Sequence, residues 1–364
     1  MGSVGGATTR ESHGVRFMTS RISRREFLKR SASAAMLAAP GIGAIGGLLG
    51  SAKESDAAWT CTVPAGSPHG PSKLGFHVVN GNPMDSYIRQ LHDNGTYFKL
   101  IKCASDFGAA YSAKLYTPKT VTVGRWVGPE AFHNYGDPLR EAEGKMKTHM
   151  QQWAKNRDTI DYWEVLNEPS PPGIAGHRRL GEFYMKCMEI AEKNGYKLAI
   201  LSYSIGVPEW EQFEALVKLG VFQMAKAGGH ILSLHEYNWG SQCKYWGRAL
   251  PGHTAYADRG VRTGRYRWWY RDFLIPSNQV IPLVITESGY DGILAEADDG
   301  DWKWRDHYMD GGGVGLPWID DRLREDDYVI GTALFTAGSW AADYVYGSTE
   351  LQTITNYVIS KKSG

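Results

Sequence analysis

Eight short apolar runs, separated by amphipathic segments and turns, constrain this chain more than any other feature. They cover residues 73–79, 97–103, 120–127, 162–167, 198–204, 230–237, 282–286 and 329–335. Most are rich in Val, Ile, Leu or aromatics, as strands buried on both faces of a parallel sheet must be. Helical spacing fills the gaps over 83–94, 138–156, 179–194, 209–224 and 264–273. Further helical segments fall at 106–116 and 354–362. Met146, Met150 and Trp153 form a stripe on one of these helices, which reads as core. Proline stands only at the first position of these segments, where a missing N–H costs nothing. Eight strand–helix alternations predict an α/β fold of the (β/α)₈ TIM-barrel type, ~250 residues before loop insertions. An open doubly wound sheet would carry a Gly-rich phosphate loop after its first strand. Gly75-Phe76-His77-Val78-Val79-Asn80-Gly81-Asn82-Pro83 contains none.

The first 58 residues do not read as part of that barrel. Ser23-Arg24-Arg25-Glu26-Phe27-Leu28-Lys29 precedes a weakly hydrophobic Ala/Gly-rich run, the pattern of a twin-arginine export signal. Glycines at 41, 43, 46, 47 and 50 argue against a stable helix there, and the run is short for a membrane span. The expected division is a leader over 1–58 and a single catalytic barrel over 59–364, exported to the periplasm or the medium by the twin-arginine machinery. Met18 offers an alternative start. No stable membrane span is expected in the mature chain, which should be a monomer.

Composition narrows the class of ligand. The chain of 364 residues has 40 Lys+Arg against 39 Asp+Glu. That balance lacks the basic excess of a nucleic-acid binder. Residues 1–60 hold eight of the 40 basic and four of the 39 acidic groups, so the body is mildly acidic. Four cysteines, Cys61, Cys103, Cys187 and Cys243, allow one or two disulfides and lack metal-ligand spacing. Thirteen Trp and 20 Tyr suit sugar binding, since a flat indole covers the apolar face of a pyranose.

Two glutamates stand where barrel active sites are built, at the C-terminal ends of strands. The fourth run leads into Asn167-Glu168-Pro169, the seventh into Glu287-Ser288-Gly289. Strands four and seven face each other across the mouth, so both carboxylates can reach one cleft. Glycosidic hydrolysis needs such a pair, one protonated to serve the leaving oxygen and one ionised to attack the anomeric carbon.

With Asn167-Glu168-Pro169 after strand four and Glu287 on strand seven, the chain resembles the retaining glycoside hydrolases of clan A. The nearest impressions are the cellulase/mannanase family 5 and the xylosidase-like family 39. The resemblance implies Glu168 as acid/base and Glu287 as nucleophile. It implies that Asn167 binds the sugar 2-hydroxyl, that Tyr237 hydrogen-bonds the nucleophile, that His235 lines the cleft and that Trp340 forms its floor. It does not settle the early strands, where His77, Lys102 and Arg125 are the candidates. Trp126, Trp239 and Trp302 are candidate sugar platforms, together with Trp210, Trp304 and Trp318. The acidic stretch 298–320 lacks the spacing of a calcium-binding EF-hand loop and reads as a solvated loop. No metal or organic cofactor is implied. The expected activity is retaining, endo-acting hydrolysis of a β-linked glucan, mannan or xylan-like glycan. An exo-acting β-glycosidase and a catalytically silent carbohydrate-binding barrel are the alternatives.

Overall fold

The computed structural model describes residues 68–128, 130–133, 136–292, 303–311, 313–338 and 342–362. All of these lie within one compact unit, Ser55–Gly364. The expected leader, Cys61, Trp302 and Trp340 fall outside the described residues. Eight parallel strands form a nearly closed (β/α)₈ TIM barrel: β1 Leu74–Val78, β2 Leu100–Ala104, β3 Val121–Arg125, β4 Tyr162–Glu164, β5 Ala199–Tyr203, β6 Ile231–Asn238, β7 Leu283–Tyr290 and β8 Val329–Ala337. The ladder runs β4-β3-β2-β1-β8-β7-β6-β5. Its ends meet through a single parallel bridge, Trp163 to Leu198, with the Trp163 amide donating to the Lys197 carbonyl at 2.9 Å.

Alternation along the strands sorts the side chains into two cores. Phe76 and Val78 pack outward with Ile88 and Leu91 of the helix Asp85–Asp93. Leu100, Val123, Ala199, Ile231, Val284 and Ala333 point inward and close the barrel floor. Gly75 is required at the tight contact between β1 and β2, where an added Cβ would lie 1.7 Å from the Leu100 carbonyl oxygen. Gly75→Ala must therefore push two strands apart, and a loss of ~3 kcal/mol is expected, the upper range for overpacking. Urea denaturation of wild type and variant measures it.

Several elements differ from the sequence reading. The stretch 209–224 is two helices, Trp210–Leu219 and Val221–Gly228, because Gly220 takes the left-handed conformation (φ 88°) and ends the first. The helix expected from residue 179 starts at Gly173, and the one over 264–273 is a short α-turn, Tyr266–Trp269, running into a π-helical turn, Tyr270–Leu274. The acidic stretch ends in a helix, Leu316–Arg324, with Pro317 in its first turn and Asp320 fully buried. Asp320 accepts from the Lys73 amide at 2.7 Å and the Tyr357 hydroxyl at 3.0 Å, so it ties the base of β1 to the C-terminal helix Ser348–Ser360. Trp304 is core rather than a platform, stacked on Tyr290 with ring centroids 5.7 Å apart. Cys243 is disulfide-bonded, whereas Cys103 and Cys187 are free and buried. Among the described residues, no helix is long and apolar enough to cross a membrane.

Candidate active site

The inner face changes character one layer above the floor. Lys102 from β2, Glu164 from β4 and Ser233 from β6 occupy positions where barrels usually place branched aliphatics. Lys102 and Glu164 are wholly buried and paired, Nζ to Oε2 at 2.7 Å. The other Glu164 oxygen accepts from the Ser233 and Thr286 hydroxyls, each at 2.6 Å. Burial pushes the Glu164 carboxyl up, but Lys102, His235 and Arg125 outweigh it and hold the group at about 2. A carboxylate with a depressed folded value adds stability above its unfolded value, and that stability is lost as pH falls toward the folded one. Wild type should therefore lose stability between pH ~4.5 and pH ~2 more steeply than Glu164→Gln. Denaturation midpoints at several acidic pH values test this.

Above this layer the candidate catalytic residues meet. Strict alternation from Val284 and Thr286, both inward, would turn Glu287 outward. A bulge prevents that: Leu234 pairs with Ile285 but His235 with Glu287, so β7 carries one extra residue. The bulge re-aims Glu287 into the mouth, and β7 continues to Tyr290 instead of ending before Glu287. Glu168 follows β4 with φ 48°, its amide donating to the Ser202 carbonyl at 3.0 Å. Pro169 follows immediately and restricts the backbone on that side.

Glu168 and Glu287 are both buried. One oxygen of each, with a ring nitrogen of His235, lies within 4.8 Å of the others. His235 Nδ1 is 3.0 Å from Glu168 Oε1 and 3.7 Å from Glu287 Oε2, so the imidazole stands between the two carboxylates. The Tyr237 hydroxyl donates to Glu287 Oε2 at 2.9 Å. Oε1 of Glu287 faces Arg125 Nη1 at 3.4 Å, Lys102 Nζ at 3.5 Å and His77 Nδ1 at 3.6 Å. Burial alone would raise the Glu287 carboxyl; His235, Lys102, His77 and Arg125 reverse this and hold it well below the usual carboxylate range. Burial and then Lys102 drive His77 itself well below the usual imidazole range, with Glu287 opposing them.

The remaining candidates divide. His77, Lys102, Arg125, His235 and Tyr237 converge on the two glutamates. Asn167 is half-buried, its Oδ1 shielded from solvent and without a partner among the described residues. Trp126 turns away from the cleft and packs edge-on against His149 of the helix Pro138–Trp153, ring centroids 5.4 Å apart. The Arg262 guanidinium lies over the ring of Trp239. Trp210 donates to Asp272 at 3.0 Å and stacks on His253, and Trp318 packs edge-on against Trp246, so both are structural. Sequence reading missed Glu164 and also Glu130, whose carboxylate lies 3.7 Å from Arg125 Nε. Glu164 left a signal, a lone acid in a strand buried on both faces, which needs a buried cation such as Lys102. Glu130 sits in a loop and left none.

Glu168, His235 and Glu287 have the mutual distances of a metal-ligand set. Lys102 and Arg125 crowd the same carboxylate, and their charges oppose a divalent cation there. The donor set does not favour a metal.

No protein-family model matches the chain, and no curated protein does. Solved structures do. A β-glucuronidase from an uncultured Clostridium matches at 13% identity and TM-score 0.46, over 79% of this chain and 50% of its own. A GH5 xyloglucan-specific endo-β-1,4-glucanase from a metagenomic library, solved with cellotriose, matches at 13% identity and TM-score 0.44, over 79% of this chain and 96% of its own. A family 30 subfamily 8 xylanase from Clostridium acetobutylicum matches at 10% identity and TM-score 0.42, over 80% and 71%. Chemistry for this chain rests on its own residues.

Proposed function

We propose that this chain is a retaining β-glycoside hydrolase. One observation carries the reading: two buried carboxylates whose oxygens approach within 4.8 Å, one of them ringed by Tyr237, Arg125, Lys102 and His77. An inverting pair stands ~6.5–9.5 Å apart to admit water between carboxylate and sugar, whereas a retaining pair stands at ~5–5.5 Å. Glu287, kept ionised, attacks the anomeric carbon while Glu168 gives its proton to the departing oxygen. Glu168 then takes a proton from water, whose oxygen displaces Glu287 from the sugar. His235, beside both carboxylates, orients Glu168 in each half. Asn167 offers an amide oxygen to a sugar hydroxyl next to the scissile bond.

The substrate in this reading is a β-linked glycan. Endo-action on a glucan, mannan or xylan-like chain is the favoured form, with exo-action as the alternative, and export through the twin-arginine pathway completes the proposal. Proton NMR of the first-formed sugar tests the mechanism: the β-anomer is expected, and an initial α-anomer would overturn it. Digestion of defined oligosaccharides separates internal cleavage from release of single sugars at one end.

A further inference from the structure

The buried Lys102–Glu164 pair asks for an explanation that stability does not supply. Removing two charges from water costs several kcal/mol per ion, and a well-packed apolar pair often does as well or better. Here the pair replaces apolar side chains in the middle layer of a barrel whose floor is aliphatic. Glu164 is anchored from three sides, by Lys102 and by the Ser233 and Thr286 hydroxyls. The ammonium so placed lies 3.5 Å from Glu287 Oε1, from beneath.

We infer that Lys102, fixed in place by Glu164, is a positioning residue that keeps Glu287 anionic and steadies it as the departing carboxylate in the second displacement. The inference rests on the proposed retaining reaction. When water attacks the glycosyl-enzyme, the carbon–oxygen bond to Glu287 breaks and its electron pair returns to the carboxylate. Glu168 takes the proton from that water. A cation under the carboxylate lowers the energy of that returning charge. Arg125 also faces Glu287, but its charge is shared with Glu130 on the outer side. His77 on β1, His235 and Tyr237 on β6 and Glu168 after β4 are further titratable groups that face Glu287 among the described residues.

Carbon-13 NMR titration of the glutamate carboxyls, with Glu287 assigned through Glu287→Gln, tests this without any substrate. Lys102→Met should raise the Glu287 midpoint by ~1 pH unit or more, the effect of losing an opposite charge at this range. The charge-neutral double variant Lys102→Met/Glu164→Gln, the safer fold, should raise it as well, and Lys102→Arg should bring it back toward wild type. Glu164→Gln alone leaves the ammonium to Glu287 and should not raise it. An unchanged midpoint in the folded double variant, or a rise in Glu164→Gln equal to that in Lys102→Met, would overturn the inference. On an activated aryl glycoside, the double variant should keep its phenol burst while steady turnover falls about tenfold, ~1.4 kcal/mol of barrier in the second step. If wild type formed no glycosyl-enzyme, the retaining reading would fail, and the carboxyl titration would still decide whether Lys102 governs Glu287.

Discussion

Glu287→Ala is expected to lose activity by about 10⁴-fold or more on every β-glycoside, whatever its leaving group, because the proposed covalent step loses its nucleophile. Tyr237 and the surrounding cations remain, so the vacated side of the sugar keeps a cationic lining that suits a small anion. Azide should bind there and attack an activated substrate directly. One displacement inverts the anomeric carbon, and the product should be the α-glycosyl azide. A β-azide from this variant would reverse the roles of the two glutamates.

Glu168→Ala should behave differently. Proton donation by a positioned acid contributes ~10²–10⁴-fold, and the loss should follow the leaving group. A glycoside of an acidic phenol departs with little help, so its glycosylation step should survive, while a natural glycan should lose the full factor. Removing the base also slows water attack on the intermediate. Azide needs no base, so it should rescue turnover and give the β-glycosyl azide, the product of two inversions. Stopped-flow release of phenol and NMR of the adduct measure both effects.

The barrel was legible because its strands are buried on both faces and stand out as apolar runs. Strand ends were less so: nothing in the run from Leu283 to Thr286 announces that β7 extends to Tyr290 through Gly289, whose φ is +112°. Glu168 and Glu287 stood out as candidates by their places after apolar runs, and the structure brings them together. The bulge that turns Glu287 inward arises from how β6 and β7 pair, a non-local fact that one strand's pattern does not encode. Lys102 was visible as a candidate, but its partner was hidden inside β4, where Glu164 passed as one polar letter in a strand. Trp126 misled because aromatic composition does not say which side of the barrel a ring takes. Its neighbour Arg125 points inward, and alternation alone sends Trp126 out to His149. The helix Leu316–Arg324 was hidden by the acidic, Gly-rich stretch in front of it.

The closure of the barrel between β4 and β5 is its most lightly bonded border. Along the other seven borders the strands are joined by ladders of three or more residue pairs, some of them bulged, and β7 is bonded on both edges. At the eighth, one bridge and the Trp163 and Glu168 amide bonds hold the edge together. Partial openings start where the fewest bonds must break, so the amides of Trp163 and Glu168 should exchange with deuterium sooner than those of Val284 and Ile285. In the proposed reaction, the carboxylate that serves first as acid and then as base thus sits on the border expected to open first, and the one that forms the covalent bond sits on a border expected to stay closed.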